Sequence, residues 1–108
     1  MPGWIKVGAL SDIPSPGSVV VETAGGPVAV FRTADDAVFA LHDSCPHKQG
    51  PLSEGIVEGH RVTCPLHNWV IDLETGQAAA PDRGRTACFA AKVEEGVVWL
   101  QKDEVIAL

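Results

Sequence analysis

Two stretches, CPHKQGPL at 45–52 and CPLHNW at 64–69, each place a thiol and an imidazole within three residues of each other. The pattern is Cys45-x-His47, then sixteen residues (48–63), then Cys64-x-x-His67. Four such groups from two loops make one metal-ligand set, so the fold has to bring both loops to one centre. Two kinds of centre fit. Zinc takes two Cys and two His tetrahedrally. A dinuclear 2Fe–2S centre takes two Cys on one iron and two His on the other. Zinc fingers usually draw both Cys from one knuckle and both His from a helix. Here each loop gives one of each, the first pair is separated by a single residue, and no helical pattern lies near either His. A mixed pair per loop lets each loop reach one iron with its Cys and the other with its His. The spacing favours the dinuclear centre; a structural Cys2His2 zinc module for protein interaction is the alternative.

The rest of the chain reads as short apolar runs between turn residues. Trp4 to Ala9 alternates as an edge strand, and SDIPSPG (11–17) is loop. Val19 to Glu22 and Val28 to Arg32 form a hairpin about AGGP (24–27). VFALH (38–42) is a further strand, and Thr86 to Val93 with Val97 to Leu100 is a second hairpin about EEG (94–96). No segment has a helical period. Strands every eight to twelve residues, with Gly and Pro between them, predict an all-β antiparallel sandwich or barrel. Residues 43–81 differ, with a Gly or Pro every few positions. GIVEGHRVTC (55–64) reads there as a hairpin bent at EGHR, and WVIDLETG (69–76) as strand then turn. This stretch holds all four candidate ligands and reads as a small subdomain inserted into the sandwich.

At 108 residues the chain is long enough for one domain. Its formal net charge of −6 argues against a nucleic-acid partner, which would want a basic face. No apolar run approaches a membrane span, and MPGWIKVGAL lacks the pattern of a signal peptide, so a cytoplasmic location is expected. Three Cys is an odd number, unsuited to a disulfide framework.

The paired motif CPHKQGPL…CPLHNW resembles the Rieske ligand signature. The longer stretch GPLSEGIVEGHRVTCPLHNWVIDLETGQAAAPDRG (50–84) and the closing VEEGVVWL (93–100) resemble the small subunit of the assimilatory NAD(P)H-dependent nitrite reductase. The resemblance implies a Rieske-type antiparallel β-sandwich base with a small rubredoxin-like cluster-binding subdomain. It implies a 2Fe–2S cluster with Cys45 and Cys64 on a buried iron, and with His47 and His67 on an outer iron nearer solvent. It further implies a large partner subunit carrying flavin and siroheme, the pair reducing nitrite to ammonium. Nothing in this chain could bind the nicotinamide or siroheme, so it is not catalytic alone. A stand-alone Rieske ferredoxin feeding an aromatic-ring oxygenase would carry the same fold and ligands, and only the extension after Cys64 favours the first reading.

Several positions beside the ligands carry expectations of their own. Many Rieske sequences read C-x-H-x-G, whereas Gln49 stands at the Gly position and Gly50 follows. High-potential Rieske proteins place Ser and Tyr hydroxyls two and four residues after the second His; here those positions are Trp69 and Ile71. They also carry a disulfide Cys where this chain has Leu66. A potential at the low end of the Rieske range is therefore expected. Asn68 and Trp69 flank the second loop as candidates for the surroundings of the cluster and the electron path, with packing the simplest role for Trp69. Lys48, Arg83 and Arg85 are candidates for a basic rim or an ordinary solvated surface. Cys88 reads as a small buried hydrophobe, and His42 and His60 as solvent-facing or supporting residues rather than ligands.

Overall fold

Val28, Ala29, Val30 and Phe31 are four successive residues with no accessible surface. A strand whose side chains alternate across a sheet can bury such a run only if both faces are covered. The computed structural model describes residues 4–23, 26–45, 50–65, 68–80 and 84–101, and shows how the covering is done. The strands, in chain order, are β1 (Trp4–Ala9), β2 (Gly17–Thr23), β3 (Gly26–Arg32), β4 (Val38–His42), β5 (Ile56–Glu58), β6 (Arg61–Thr63), β7 (Val70–Asp72), β8 (Cys88–Phe89), β9 (Ala91–Glu94) and β10 (Val97–Gln101). Two single-turn 3-10 helices at Leu10–Asp12 and Leu52–Glu54 are the only helical pieces among the described residues.

Among the described residues they form three antiparallel sheets, ordered β1-β10-β9, β2-β3-β4-β8 and β5-β6-β7. The four-stranded sheet has a core on each face. Val28, Val30 and Ala40 meet Val98 and Leu100 of β10, together with Ile13 and Phe89. Ala29, Phe31 and Leu41, from the opposite face of the same strands, meet Leu52, Val57, Val62, Ile71 and Leu73. Cys45 and Cys64 belong to this second core. Each fully buried Leu, Val or Phe side chain contributes about 1.5–3 kcal/mol by its removal from water, so the two cores hold the three sheets in register. Among the described residues no helix is long and apolar enough to cross a membrane.

The all-β architecture expected from the sequence is found, with corrections of detail. β2 begins at Gly17 rather than Val19, and β3 at Gly26, two residues inside the expected turn. The turn residues Ala24 and Gly25 lie outside the described residues. The single strand expected over 86–93 is two: β8 pairs with β4, then Ala90 breaks the run, and β9 pairs with β10 in the other sheet. One apolar segment thereby serves both layers of the sandwich. The β9–β10 hairpin turns at Glu95 and Gly96, both in the left-handed region (φ 50° and 76°), the geometry of a type I′ two-residue turn.

Candidate metal centre

Cys45 and Cys64 are both fully buried, and neither is in a disulfide. Their segments are closed in the same way. The Cys45 amide donates to the Gly50 carbonyl at 2.8 Å, and the Cys64 amide donates to the Trp69 carbonyl at 2.6 Å. Each bond spans five residues, so the two stretches that looked alike in sequence share a backbone closure. In the second, Asn68 takes φ 58°, a left-handed conformation that Asn tolerates better than most residues. Asn68 is exposed, and Trp69 is half-buried against the core that holds both cysteines.

The strands explain how the two segments meet. β6 and β7 pair up to Thr63 and Val70, so residues 64–69 hang from the end of a hairpin. The first segment leaves the end of β4 and runs into the 3-10 turn Leu52–Glu54, whose Leu52 is fully buried. Gly55 follows, and a Cβ there would lie 2.2 Å from the Thr63 carbonyl oxygen. That close approach, possible only for Gly, brings the exit of the first segment against the residue before Cys64.

His47, Lys48, Gln49, Leu66, His67 and Arg83 lie outside the described residues. Arg85 is exposed and bridges to Gln77. Cys88 is half-buried rather than buried and packs on the same core as Cys45. Among the described residues no three His, Cys, Asp or Glu side chains gather into a metal site. The donor set nevertheless fits an iron–sulfur centre: two thiols sit in one water-excluded core, each at the start of a closed segment whose sequence also carries a His.

His60, expected to face solvent or to play a supporting role rather than to ligate, joins two parts of the chain. Its Nε2 lies 3.1 Å from Asp35 Oδ2, in the β3–β4 turn, and its Nδ1 lies 3.5 Å from Glu74 Oε2. Its ring also meets Phe39, with centroids 5.0 Å apart. The hydrogen bond to Asp35 raises the His60 pKa. Hydrogen bonds from Thr33, first, and His60 hold the Asp35 carboxyl below its usual range. The raised imidazole stabilises the fold below its ordinary pKa of about 6.5 and ceases to as pH rises through the folded value. The lowered carboxylate stabilises it above about pH 4 and ceases to as pH falls further. The stability gap between wild type and His60→Ala, read by thermal melting, is therefore expected to be widest near pH 5–6. It should narrow at alkaline pH to a pH-independent remainder from the lost Phe39 contact, and shrink with added salt. A gap constant from pH 5 to 9 would contradict the pairing.

Residues 3–90 match the Rieske [2Fe-2S] domain family. The chain is 35% identical over 96 residues to the anthranilate 1,2-dioxygenase ferredoxin subunit of Burkholderia cepacia, covering 88% of each. It is 35% identical over 100 residues to the ferredoxin CarAc of Metapseudomonas resinovorans, covering 90% of this chain and 92% of that one. Among solved structures, a chain in a complex of oxygenase and ferredoxin of carbazole 1,9a-dioxygenase superposes with a TM-score of 0.83 at 32% identity, covering 94% of this chain and 95% of that one. A chain from Mycobacterium tuberculosis described as an NADH-dependent nitrite reductase small subunit superposes with a TM-score of 0.81 at 25% identity, covering 90% and 92%. The cofactor is accordingly a 2Fe–2S cluster rather than zinc. With two buried thiols on matched, closed segments and a family match spanning most of its length, the chain belongs to the Rieske [2Fe-2S] family and is an electron-transfer protein.

Proposed function

We propose that this chain is the ferredoxin component of an aromatic-ring oxygenase system, a cytoplasmic carrier that passes single electrons from a reductase to the oxygenase. The observation that supports this reading most is end-to-end similarity to ferredoxin components at 35% identity, covering 88% or more of each chain. In this proposal Cys45 and Cys64 hold one iron and His47 and His67 the other. When bound, a Rieske 2Fe–2S cluster takes up and gives back one electron. Residues 43–81 act as one cluster-holding subdomain on the sandwich. Phe31, Leu41, Leu52 and Ile71 close the core around the two thiols and keep water from the sulfur side. Lys48, Gln49, Leu66, Asn68 and Trp69 flank the ligands and form their immediate surroundings in this reading.

Positions 69 and 71 offer no hydroxyl to a sulfur. A midpoint potential below about +100 mV is expected, within a Rieske range of roughly −150 to +300 mV. Protein-film voltammetry checks it, and a value above that mark would contradict the assignment. Such a potential suits electrons that originate from a reduced nicotinamide.

The second reading, the small subunit of NAD(P)H-dependent nitrite reductase, draws on the CPLHNWVIDLETG stretch and on superposition with chains described as such subunits. Its partner would be a large subunit carrying flavin and siroheme. Reconstitution separates the two. The chain, a nicotinamide-dependent reductase and a ring-hydroxylating oxygenase should give turnover that depends on the chain. Stable association with a siroheme protein, and chain-dependent nitrite reduction, would establish the second reading instead.

A further inference from the structure

The two cysteine segments are closed alike inside but anchored differently outside. Residues 64–69 hang between Thr63 and Val70, which are partners in the β6–β7 ladder. Residues 44–52 have no strand pair at their ends: one end leaves β4 at His42 and the other enters a 3-10 turn at Leu52. A side-chain bond stands where the ladder is missing. Both oxygens of the Asp43 carboxylate are used on Ser53: Oδ1 accepts the Ser53 amide at 2.7 Å, and Oδ2 accepts the Ser53 hydroxyl at 2.8 Å. Both partners are then tied to the central sheet. The Asp43 amide donates to the Pro27 carbonyl of β3 at 3.0 Å, and the Ser53 carbonyl accepts the Ser18 hydroxyl of β2 at 2.9 Å.

We infer that Asp43 is a positioning residue for the cluster, its carboxylate clamping Ser53 so that the segment carrying Cys45 and His47 is held at the separation its metal needs. The inference rests on the ligand assignment proposed above. A carboxylate suits the task because one rigid group accepts two bonds at once, and charge-assisted bonds are shorter and stronger than neutral ones. Nine residues lie between Asp43 and Ser53, and among the described residues the Cys45–Gly50 bond is the other closure between the two arms of this segment. The clamp acts through the backbone of the segment, so its loss should appear at the cluster before it appears in global unfolding.

The test uses the holoprotein and four variants. Asp43→Ala removes both bonds, Asp43→Asn keeps one acceptor without charge, and Ser53→Ala keeps the amide bond only. Val30→Ala, in the core on the opposite face of the central sheet, serves as a control of comparable Tm loss. Cluster loss to an iron chelator is followed by visible absorbance, and the reduced proteins are compared by EPR. Asp43→Ala should lose its cluster about tenfold faster than wild type, as expected for supports of a metal site, with a broadened EPR signal. Asp43→Asn and Ser53→Ala should fall between, and Val30→Ala should keep the wild-type signal. If Asp43→Ala does not fold, the ordering of the two milder variants against Val30→Ala decides. Loss rates within twofold of wild type, or no faster than in Val30→Ala, would overturn the inference. A wild-type protein without a Rieske signal would overturn the ligand assignment instead, and the two failures are distinct.

Discussion

Replacing Cys45 or Cys64 by alanine is expected to give folded protein that holds almost no iron, whereas Cys88→Ala should keep its full complement. All three thiols are of one chemical type, so the difference has to come from position. Cys45 and Cys64 are fully buried, begin the two closed segments and share one core, while Cys88 sits half-buried in β8 opposite Leu41. Replacing a buried thiol by a methyl removes one heavy atom, and the small cavity it leaves costs the apoprotein on the order of 1 kcal/mol. In the proposed ligand set, the cost to the cluster is one of four ligands. Iron and sulfide analysis should fall from about two of each per chain to a tenth of that or less, with the visible bands of the cluster gone. Full iron content in Cys45→Ala or Cys64→Ala would remove that residue from the ligand set, and cluster loss in Cys88→Ala would add a residue to it.

Gly55→Ala is the second large effect. Its backbone is extended (φ −80°, ψ 175°), so no conformational strain is involved and the cost is steric. The added Cβ would sit 2.2 Å from the Thr63 carbonyl oxygen, 2.9 Å from Val62 Cγ2 and 3.1 Å from the Leu52 carbonyl oxygen. Two of these neighbours are backbone and cannot rotate away. The exit of the first segment and strand β6 must then move apart, and Thr63 directly precedes Cys64. We expect a loss of roughly 3 kcal/mol of stability, at the upper end of overpacking costs, read as a fall in Tm of about 10 °C or more for a domain of this size. Cluster content should fall with it, because the same displacement separates the two cysteine segments. A Tm within about 2 °C of wild type would mean the close approach is not as described.

The two cysteines could be read from the sequence, and the close approach at Gly55 could not. The pairing of Cys45 with Cys64 was legible because metal chemistry fixes residue type and spacing together, and the structure places both in one core. VFALH was legible as a strand at its observed limits, and GIVEGHRVTC as a hairpin, because turn residues bound both. The break at Ala90 was not legible. TACFAAKV has no Gly, Pro, Asn or Asp to mark the point where the chain passes from one sheet to the other. The burial of VAVF on both faces was also hidden, since a continuous apolar run does not say what covers its second side. Long-range polar pairs leave no periodic trace at all. His60 and Asp35 are 25 residues apart, and Asp43 and Ser53 are 10 apart, and neither pair repeats with any structural period. The fold supplied the second face, and with it the contact between Asp43 and Ser53.

In the proposed site two imidazoles and two thiolates share one cluster. Pulsed EPR on the reduced protein, prepared with and without 15N-labelled histidine, tests that directly. The chain has four histidines, and two of them, His47 and His67, should couple to the cluster electron, while His42→Gln and His60→Gln leave both couplings intact. The average g-value should fall below that of an all-thiolate 2Fe–2S cluster. A spectrum with no histidine coupling, or a colourless protein that binds one zinc, would contradict the account.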